Sequence, residues 1–187
     1  MIIYKEKQMK QKLLSEKSGF TITEMLACML IMMLATGTIL QTMNLAYQQF
    51  QDQTEKSEAR LLANSLSLAI QSQLTYAKKS EEDGGTIIFT GNRTTNNVKY
   101  KIRSTTDSDS GLLPGVLIMD YYDADIKTPL ISQNTYGTSE RHFTAKSIME
   151  KDVDDDSLFH VQLKVFTPGD QTNPAAESTF TVHSIGM

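Results

Sequence analysis

One uninterrupted apolar stretch with a single charge limits what this chain can fold into. Residues 20–40 contain no proline, and Glu24 is the only charged residue between Gly19 and Gln41. As an α-helix, this stretch extends about 30 Å, which matches the hydrocarbon core of a bilayer. A carboxylate there costs about 2.5 to 3.5 kcal/mol on insertion scales. Because no partner lies nearby in the sequence, we expect the partner of Glu24 to belong to another chain.

The residues before the apolar stretch are basic. Residues 1–19 contain five lysines and two glutamates, and the positive-inside rule keeps such a flank in the cytoplasm. The far end of the stretch lacks a small-residue cleavage signature, so its removal as a secretory signal peptide is not predicted. We therefore expect a single-pass membrane helix with a cytoplasmic N-terminus and an extracytoplasmic head.

Gly19, Phe20 and Glu24 stand in a register that is typical of a known family. The basic leader ends in Gly19, Phe20 follows, and Glu24 is the fifth residue counted from Phe20. This arrangement resembles the processing site of type IV prepilins and of the related type II secretion and competence pseudopilins. An ordinary signal anchor, in which Gly19 and Phe20 adjoin by chance, is the alternative.

The resemblance implies a function and a set of partners. It implies that a membrane prepilin peptidase cuts between Gly19 and Phe20 and methylates the new amino terminus, and that Glu24 pairs with the amino terminus of a neighbouring subunit. The protein would then be a structural subunit, a minor pilin in our interpretation, of a type IV pilus-like filament on the cell surface. Other pilin subunits and a membrane platform protein would be its partners, and lipid would surround its helix before assembly.

Three alternatives to a minor pilin stay open. One is a pseudopilin of a type II secretion system, and another is a pseudopilin of a DNA-uptake (competence) system. The third is an unrelated extracellular enzyme or binding domain that is held by a signal anchor.

The chain divides into four segments. We predict a leader in residues 1–19, a transmembrane and filament-core helix in 20–41, an amphipathic continuation of that helix in 42–80 and a β-rich head in 81–187. No proline precedes Pro114, so one helix from residue 20 to about 80 is expected. Charge and glycine in residues 81–85 are predicted to end it.

The second half of this helix is amphipathic. Leucine and isoleucine recur every four residues, which predicts a face that packs on a sheet. Leu61 and Leu68 lie off this stripe, and either contact neighbouring subunits or are covered by the same sheet. The stripe consists of Leu62, Leu66, Ile70 and Leu74.

Six segments of the head are predicted as strands: 86–90, 98–103, 116–122, 141–148, 158–166 and 178–185. Apolar and polar residues alternate most clearly in 159–165, which indicates an antiparallel sheet with one solvated face. Residues 167–174 would join the last two strands as a hairpin. The predicted fold class is thus α+β and pilin-like, with the long N-terminal helix lying across the buried face of a C-terminal antiparallel β-sheet.

Nothing in the sequence favours an enzyme. Nucleophile-elbow, HExxH, P-loop and Rossmann motifs are missing. Cys28 is the only cysteine, so no disulfide can staple the head. An EF-hand beginning at Asp107 would need Glu at position 118, which is Ile. The acidic residues 152–156 are interpreted as a solvated turn, with a calcium loop as the less favoured alternative. His142, His160 and His183 lack close ligand spacing, and we expect no metal, no cofactor and no catalysis.

Three cations on one predicted strand raise the question of DNA binding. Lys99, Lys101 and Arg103 alternate with apolar residues and so share one face, and Arg93 precedes them. Residues 51–187 contain 13 lysines and arginines against 19 aspartates and glutamates, and a net charge of that sign opposes binding to phosphates. We favour a solvated sheet face that discourages edge pairing, and contact with DNA or another ligand is the alternative.

Overall fold

One long helix, α1 (Ile22–Thr75), begins the fold. The structure is a computed structural model that describes residues 20–83, 86–91, 98–122 and 126–186. The chain forms two compact units, residues 1–50 and 51–187. In the described part of the first unit, α1 is exposed on all sides. The second unit contains the rest of α1 and the β-structure, so the fold is α+β.

Eight strands follow α1 among the described residues, in two antiparallel sheets. The first sheet has its strands in chain order: β1 (Lys79–Asp83), β2 (Thr86–Thr90), β3 (Lys99–Ser104), β4 (Leu117–Tyr121) and β5 (Lys127–Pro129). The second sheet consists of β6 (Thr144–Lys151), β7 (Leu158–Phe166) and β8 (Ala176–His183), with β7 in the centre. A 3-10 helix, Gln133–Tyr136, lies between β5 and β6. Both sheets are therefore simple meanders.

The amphipathic stripe predicted on α1 is buried. Leu66, Ile70 and Leu74 have no exposed surface, and Leu62 is 2% exposed. These side chains belong to one hydrophobic cluster with residues of both sheets. The prediction that this face packs on β-structure is confirmed. Leu61 and Leu68 are each 67% exposed, so the sheets do not cover them.

The central strand of the second sheet has the register that its sequence predicts. Residues 158–166 form β7 as expected. Phe159, Val161, Leu163 and Val165 are fully buried, whereas His160 is exposed on the other face. Pairing of β7 with β8 leaves residues 167–175 as the loop of a long hairpin, as predicted.

The helix ends earlier than we predicted. α1 stops at Thr75, and residues 79–83 form β1, which pairs with β2 along its whole length. The sequence Lys-Ser-Glu-Glu-Asp has no apolar alternation, because β1 is an edge strand that main-chain hydrogen bonds hold in place. Residues 84 and 85, the glycines of the predicted break, lie outside the described residues.

The prediction of a single sheet and two of its strand boundaries were also wrong. Two sheets form, and the short strand β5 was not predicted. The strand predicted at 141–148 is β6, Thr144–Lys151, because Gly137 and His142 are joined by an isolated bridge next to the 3-10 helix. The strand predicted at 178–185 is β8, Ala176–His183.

The C-terminal end of α1 is closed by the last described residues of the chain. The backbone N–H of Ile185 donates to the carbonyl of Thr75 at 2.9 Å. The hydroxyl of Ser184 donates to the carbonyl of Ala77 at 2.6 Å. The first bond satisfies a carbonyl that the helix itself leaves without a partner, and the second satisfies a carbonyl of the turn that follows the helix. A side chain at Gly186 would lie 2.5 Å from the carbonyl oxygen of Ala77, so only glycine fits this approach.

Tyr136 of the 3-10 helix satisfies a buried backbone group of the first sheet. Its phenol oxygen accepts a hydrogen bond from the backbone N–H of Leu117 at 3.0 Å, and neither residue has exposed surface. Burial raises the pKa of the Tyr136 phenol well above its usual range. The phenol is therefore a neutral, fixed partner for the start of β4.

We predict that Tyr136→Phe lowers the free energy of unfolding of the second unit by about 1 to 3 kcal/mol, because the Leu117 N–H loses its partner in a buried place. The measurement is chemical denaturation of the full chain in mild detergent, followed by near-ultraviolet circular dichroism. Tyr76→Phe is the matched control, since Tyr76 is 66% exposed. Equal stability of the two variants would contradict the role of the Tyr136 phenol.

Candidate assembly site at the start of the helix

α1 begins with reciprocal hydrogen bonds between Thr21 and Glu24. The backbone N–H and the hydroxyl of Thr21 both donate to Oε2 of Glu24, at 2.9 Å each. In return, Oγ1 of Thr21 accepts a hydrogen bond from the backbone N–H of Glu24 at 3.3 Å. This arrangement is a capping box, with Thr21 as the N-cap and Glu24 as the third helical residue. It also places a negative charge at the positive end of the helix dipole.

The cap uses one of the two carboxylate oxygens of Glu24. Both hydrogen bonds from Thr21 end on Oε2, and Oε1 accepts none from the described residues. Glu24 is exposed, and Phe20 is 77% exposed. Oε1 is thus open to a donor from outside the chain. Gly19, the other residue of the predicted cleavage site, lies outside the described residues.

The capping role of Glu24 is a feature that our interpretation of the sequence missed. The segment 21–24 reads Thr-Ile-Thr-Glu, which fits the Ser/Thr-x-x-Glu pattern of a capping box. We considered Glu24 only as a charge without a partner. Thr21 partly compensates that charge within the same chain.

The helix that follows Glu24 has the properties of a membrane segment. By length and composition, α1 is apolar enough to cross a bilayer, and none of its apolar window is buried in the structure. Cys28 is exposed within this segment. Large exposed apolar side chains of this region include Met25, Leu26, Met29, Leu30, Ile31, Met32, Met33 and Leu34.

The three cations predicted to share a face of β3 are engaged by carboxylates of the first sheet and its loops. Lys99 Nζ lies 2.7 Å from Glu81 Oε2. Lys101 Nζ lies 3.9 Å from Asp120 Oδ2, and Arg103 Nε lies 2.7 Å from the same oxygen. The cations alternate with buried residues of β3, so they do lie on one face. Arg93 lies outside the described residues.

Asp109 is the centre of this charged surface. Its carboxylate is only 4% exposed and receives two hydrogen bonds from the guanidinium of Arg103, at 2.8 and 2.9 Å. Lys127 Nζ lies 3.0 Å away, and the backbone N–H of Thr106 donates a further bond at 2.9 Å. The bonds from Arg103, then those from Thr106 and Lys127, hold the pKa of Asp109 well below its usual range. The loop that begins at Asp107 resembles the start of a calcium site. Its Asp109 carboxylate is thus bound by the protein's own cations, Arg103 and Lys127.

The acidic turn between β6 and β7 is likewise held by local contacts. His160 Nε2 lies 3.0 Å from Asp152 Oδ2, and this hydrogen bond lowers the pKa of Asp152. His183 Nε2 lies 3.0 Å from the hydroxyl of Ser157, which in turn donates to Asp155. Within the described ranges, no group of three or more histidine, cysteine or acidic residues could hold a metal ion.

Comparison of the chain with protein-family models, with curated proteins and with solved structures gave no match.

We predict that Asp109→Asn lowers the free energy of unfolding at neutral pH by about 2 to 4 kcal/mol, because Arg103 and Lys127 lose a buried charged partner. Asp109 has a lowered pKa in the folded state, so its contribution is complete above about pH 4 and declines as the pH falls through the folded pKa. The difference from the unsubstituted protein should therefore shrink between about pH 4 and pH 2.

Asp107→Asn is the matched control for this prediction, since Asp107 is an exposed residue of the same loop. Denaturation of both variants at several pH values is the measurement. The difference in free energy of unfolding between Asp109→Asn and the unsubstituted protein should change with pH. A constant difference would rule out the proposed link between Asp109 ionisation and stability.

Proposed function

We propose that this protein is a structural subunit, a minor pilin or pseudopilin, of a type IV pilus-like filament. In this proposal the chain is cleaved between Gly19 and Phe20 and methylated at Phe20, crosses the membrane once with its head outside, and enters the filament through the first part of α1. The observation that carries it is the Glu24 carboxylate at the start of an exposed apolar helix, with Oε2 capped and Oε1 open.

The capping box makes Glu24 a well-positioned acceptor. Two bonds from Thr21 fix Oε2, so the direction of Oε1 is set before any partner arrives. The new amino terminus of a neighbouring Phe20 would supply a cation for it, and such charge-assisted hydrogen bonds are roughly twice as strong as neutral ones. Removing one partner of a buried ion pair costs about 3 to 5 kcal/mol. This cost would penalise subunits that assemble out of register.

The charged surface of the first sheet favours a structural role over DNA uptake. Lys99, Lys101 and Arg103 each have a carboxylate within 4 Å, so phosphates would have to displace existing partners. The excess of acidic residues in 51–187 acts in the same direction. We therefore place the partners of this subunit in the filament and in its membrane assembly machinery.

Processing is tested by intact mass spectrometry of the protein from its native host. We predict a mature chain that lacks residues 1–19 and carries one methyl group on the amine of Phe20. The protein from a host without prepilin peptidase is the control and should keep the leader. An uncleaved chain in the wild-type host would refute the proposed processing.

Assembly is tested with variants that separate the charge of Glu24 from its cap. Glutamine serves in a capping box as well as glutamate does, so Glu24→Gln keeps the cap and loses the charge. Thr21→Val removes the hydroxyl of the cap and keeps the charge. We predict that Glu24→Gln lowers the amount of subunit in sheared surface filaments at least tenfold, roughly the effect of losing 1.4 kcal/mol, and that Thr21→Val lowers it far less.

Membrane insertion is the control readout for both variants and should be unchanged. The opposite pattern, with filaments lost in Thr21→Val and kept in Glu24→Gln, would show that Glu24 acts only as a helix cap. Filament incorporation of both variants at the normal level would refute the assembly role of this site.

A further inference from the structure

β8 forms one edge of the second sheet and has an unpaired outer side. Its inner side pairs with β7 over the whole length of the strand. No strand among the described residues pairs with β8 on its other side. An open strand edge of this kind is a row of unpaired N–H and C=O groups, which can pair with a strand of another chain.

The hydrogen bonds just after β8 show which of its main-chain groups point outward. The N–H of Ser184 donates to the carbonyl of Ser157 at 2.8 Å, which continues the register between β7 and β8. The N–H of Ile185, the next residue, donates away from β7 to the carbonyl of Thr75. Because main-chain groups alternate in direction along an antiparallel strand, every second residue before Ile185 also points outward. These outward residues are Glu177, Thr179, Thr181 and His183.

The outward residues of β8 are accessible. All four are exposed, and their main-chain groups form no hydrogen bond with any part of the chain that the structure describes. The residues between them include Phe180 and Val182, which pack on the core side of the sheet. A second strand could therefore pair with this edge without breaking a main-chain hydrogen bond of the described chain.

The other edge strands of the two sheets are protected against such pairing. β1 has charged residues at four of its five positions, and β5 is three residues long and ends in Pro129, which has no N–H. The edge of β6 lies against the first sheet, where the N–H of Ala145 donates to the carbonyl of Gly115 at 2.7 Å. Charge, short length and proline are common protections of strand edges. β8 has eight residues, no lysine and no proline, and Glu177 is its one acidic residue.

The sequence of β8 is complementary to itself in one antiparallel register. With Phe180 opposite Phe180 of a second copy, every outward residue faces an outward residue. Thr179 then faces Thr181, and Glu177 faces His183. Each such pair can exchange two main-chain hydrogen bonds. A shift of the register by two residues in either direction pairs one end of this row with a residue outside β8.

The side chains also match in this register. Threonine pairs and aromatic pairs are favourable neighbours across antiparallel strands. Glu177 and His183 bring a carboxylate to an imidazole, so no like charges are opposed. Within the chain, the carboxylate uses Oε1 to accept from Gln162, and the imidazole uses Nε2 to contact Ser157. Oε2 of Glu177 and Nδ1 of His183 have no hydrogen bond to a described residue and are left for the second copy.

We propose that two copies of this chain associate through β8, as an antiparallel β8–β8 pair with its two-fold axis at Phe180. Such an interface is isologous, because the same row of main-chain groups donates and accepts on both copies. The two three-stranded sheets would become one continuous sheet. This inference goes beyond the proposed filament role and does not depend on it.

Pairing at this edge is tested by residue-resolved amide hydrogen exchange of the full chain in mild detergent. We expect exchange of the Thr179 and Thr181 amides to slow at least about tenfold as the protein concentration rises, because these amides are bonded only in the pair. The amides of Phe180 and Val182 point to β7 and should be protected at every concentration. Exchange of Thr179 and Thr181 that does not change with concentration would overturn the proposal.

The register is tested by disulfide cross-linking in a Cys28→Ala background, which removes the native thiol. Two proteins are prepared, one with Thr179→Cys and the other with Thr181→Cys. We expect a cross-linked dimer when the two proteins are mixed and little when either is alone. Only the mixed pair is directly opposite, at the Cα separation of about 4.4 to 6.8 Å that a disulfide requires. Equal cross-linking of one variant alone would overturn this register, and no cross-link in any sample would overturn the proposal.

Variants test whether β8 carries the association. Thr179→Lys combined with Thr181→Lys opposes like charges across the pair. We expect the dissociation constant of the dimer to rise at least about tenfold, as measured by sedimentation of the full chain in mild detergent. Ile148→Lys is the matched control, because Ile148 is 51% exposed on β6 of the same sheet, and it should leave the dissociation constant unchanged.

Circular dichroism checks that the double variant is folded. Should it unfold, Thr179→Pro is the second variant, since it removes only an N–H that points outward, and the same rise in dissociation constant is expected. A folded β8 variant that forms dimers as stable as those of Ile148→Lys would overturn the proposal, because the copies would then associate through another surface.

Discussion

Burial of one face of α1 is the constraint on which the second unit depends. Both antiparallel sheets contribute apolar side chains to one core, and an apolar layer needs a second layer against it. The stripe that includes Leu66, Ile70 and Leu74 belongs to the same cluster as core residues of both sheets. Each such side chain contributes about 1.5 to 3 kcal/mol when it is removed from water. This shared core also fixes the strands that carry the polar network of the first sheet.

Glu24 has a structural role and a proposed assembly role. As a capping residue it stabilises the start of α1 within one chain, and in the proposed filament its other oxygen would accept a hydrogen bond from another chain. The two roles use different atoms, Oε2 and Oε1, so they do not compete. In the proposed assembly, the cap would compensate part of the charge before the subunit joins the filament, and the neighbouring amino terminus would supply the rest.

Periodicity predicted the parts of the fold in which one face of an element is buried. The α1 stripe and β7 have strong apolar alternation, and both were placed correctly. β1 and β5 are edge strands that are held by main-chain hydrogen bonds, so their side chains show no alternation of apolar and polar residues. The partners of Lys101 and Arg103 depend on strand register, which brings Asp120 opposite Lys101 and cannot be read from either segment alone. The capping box involves only residues 21–24, so it could have been predicted from the sequence.

The hydrogen bond between Ser184 and Ala77 has a consequence for the order of folding events. These residues are 107 positions apart in the chain, and contacts of such long range must close a large loop before they return any stability. Until they form, the carbonyls of Thr75 and Ala77 at the end of α1 lack these partners. We therefore expect the C-terminal end of α1 to close late in the folding of the second unit, after the hairpins of the two sheets have formed.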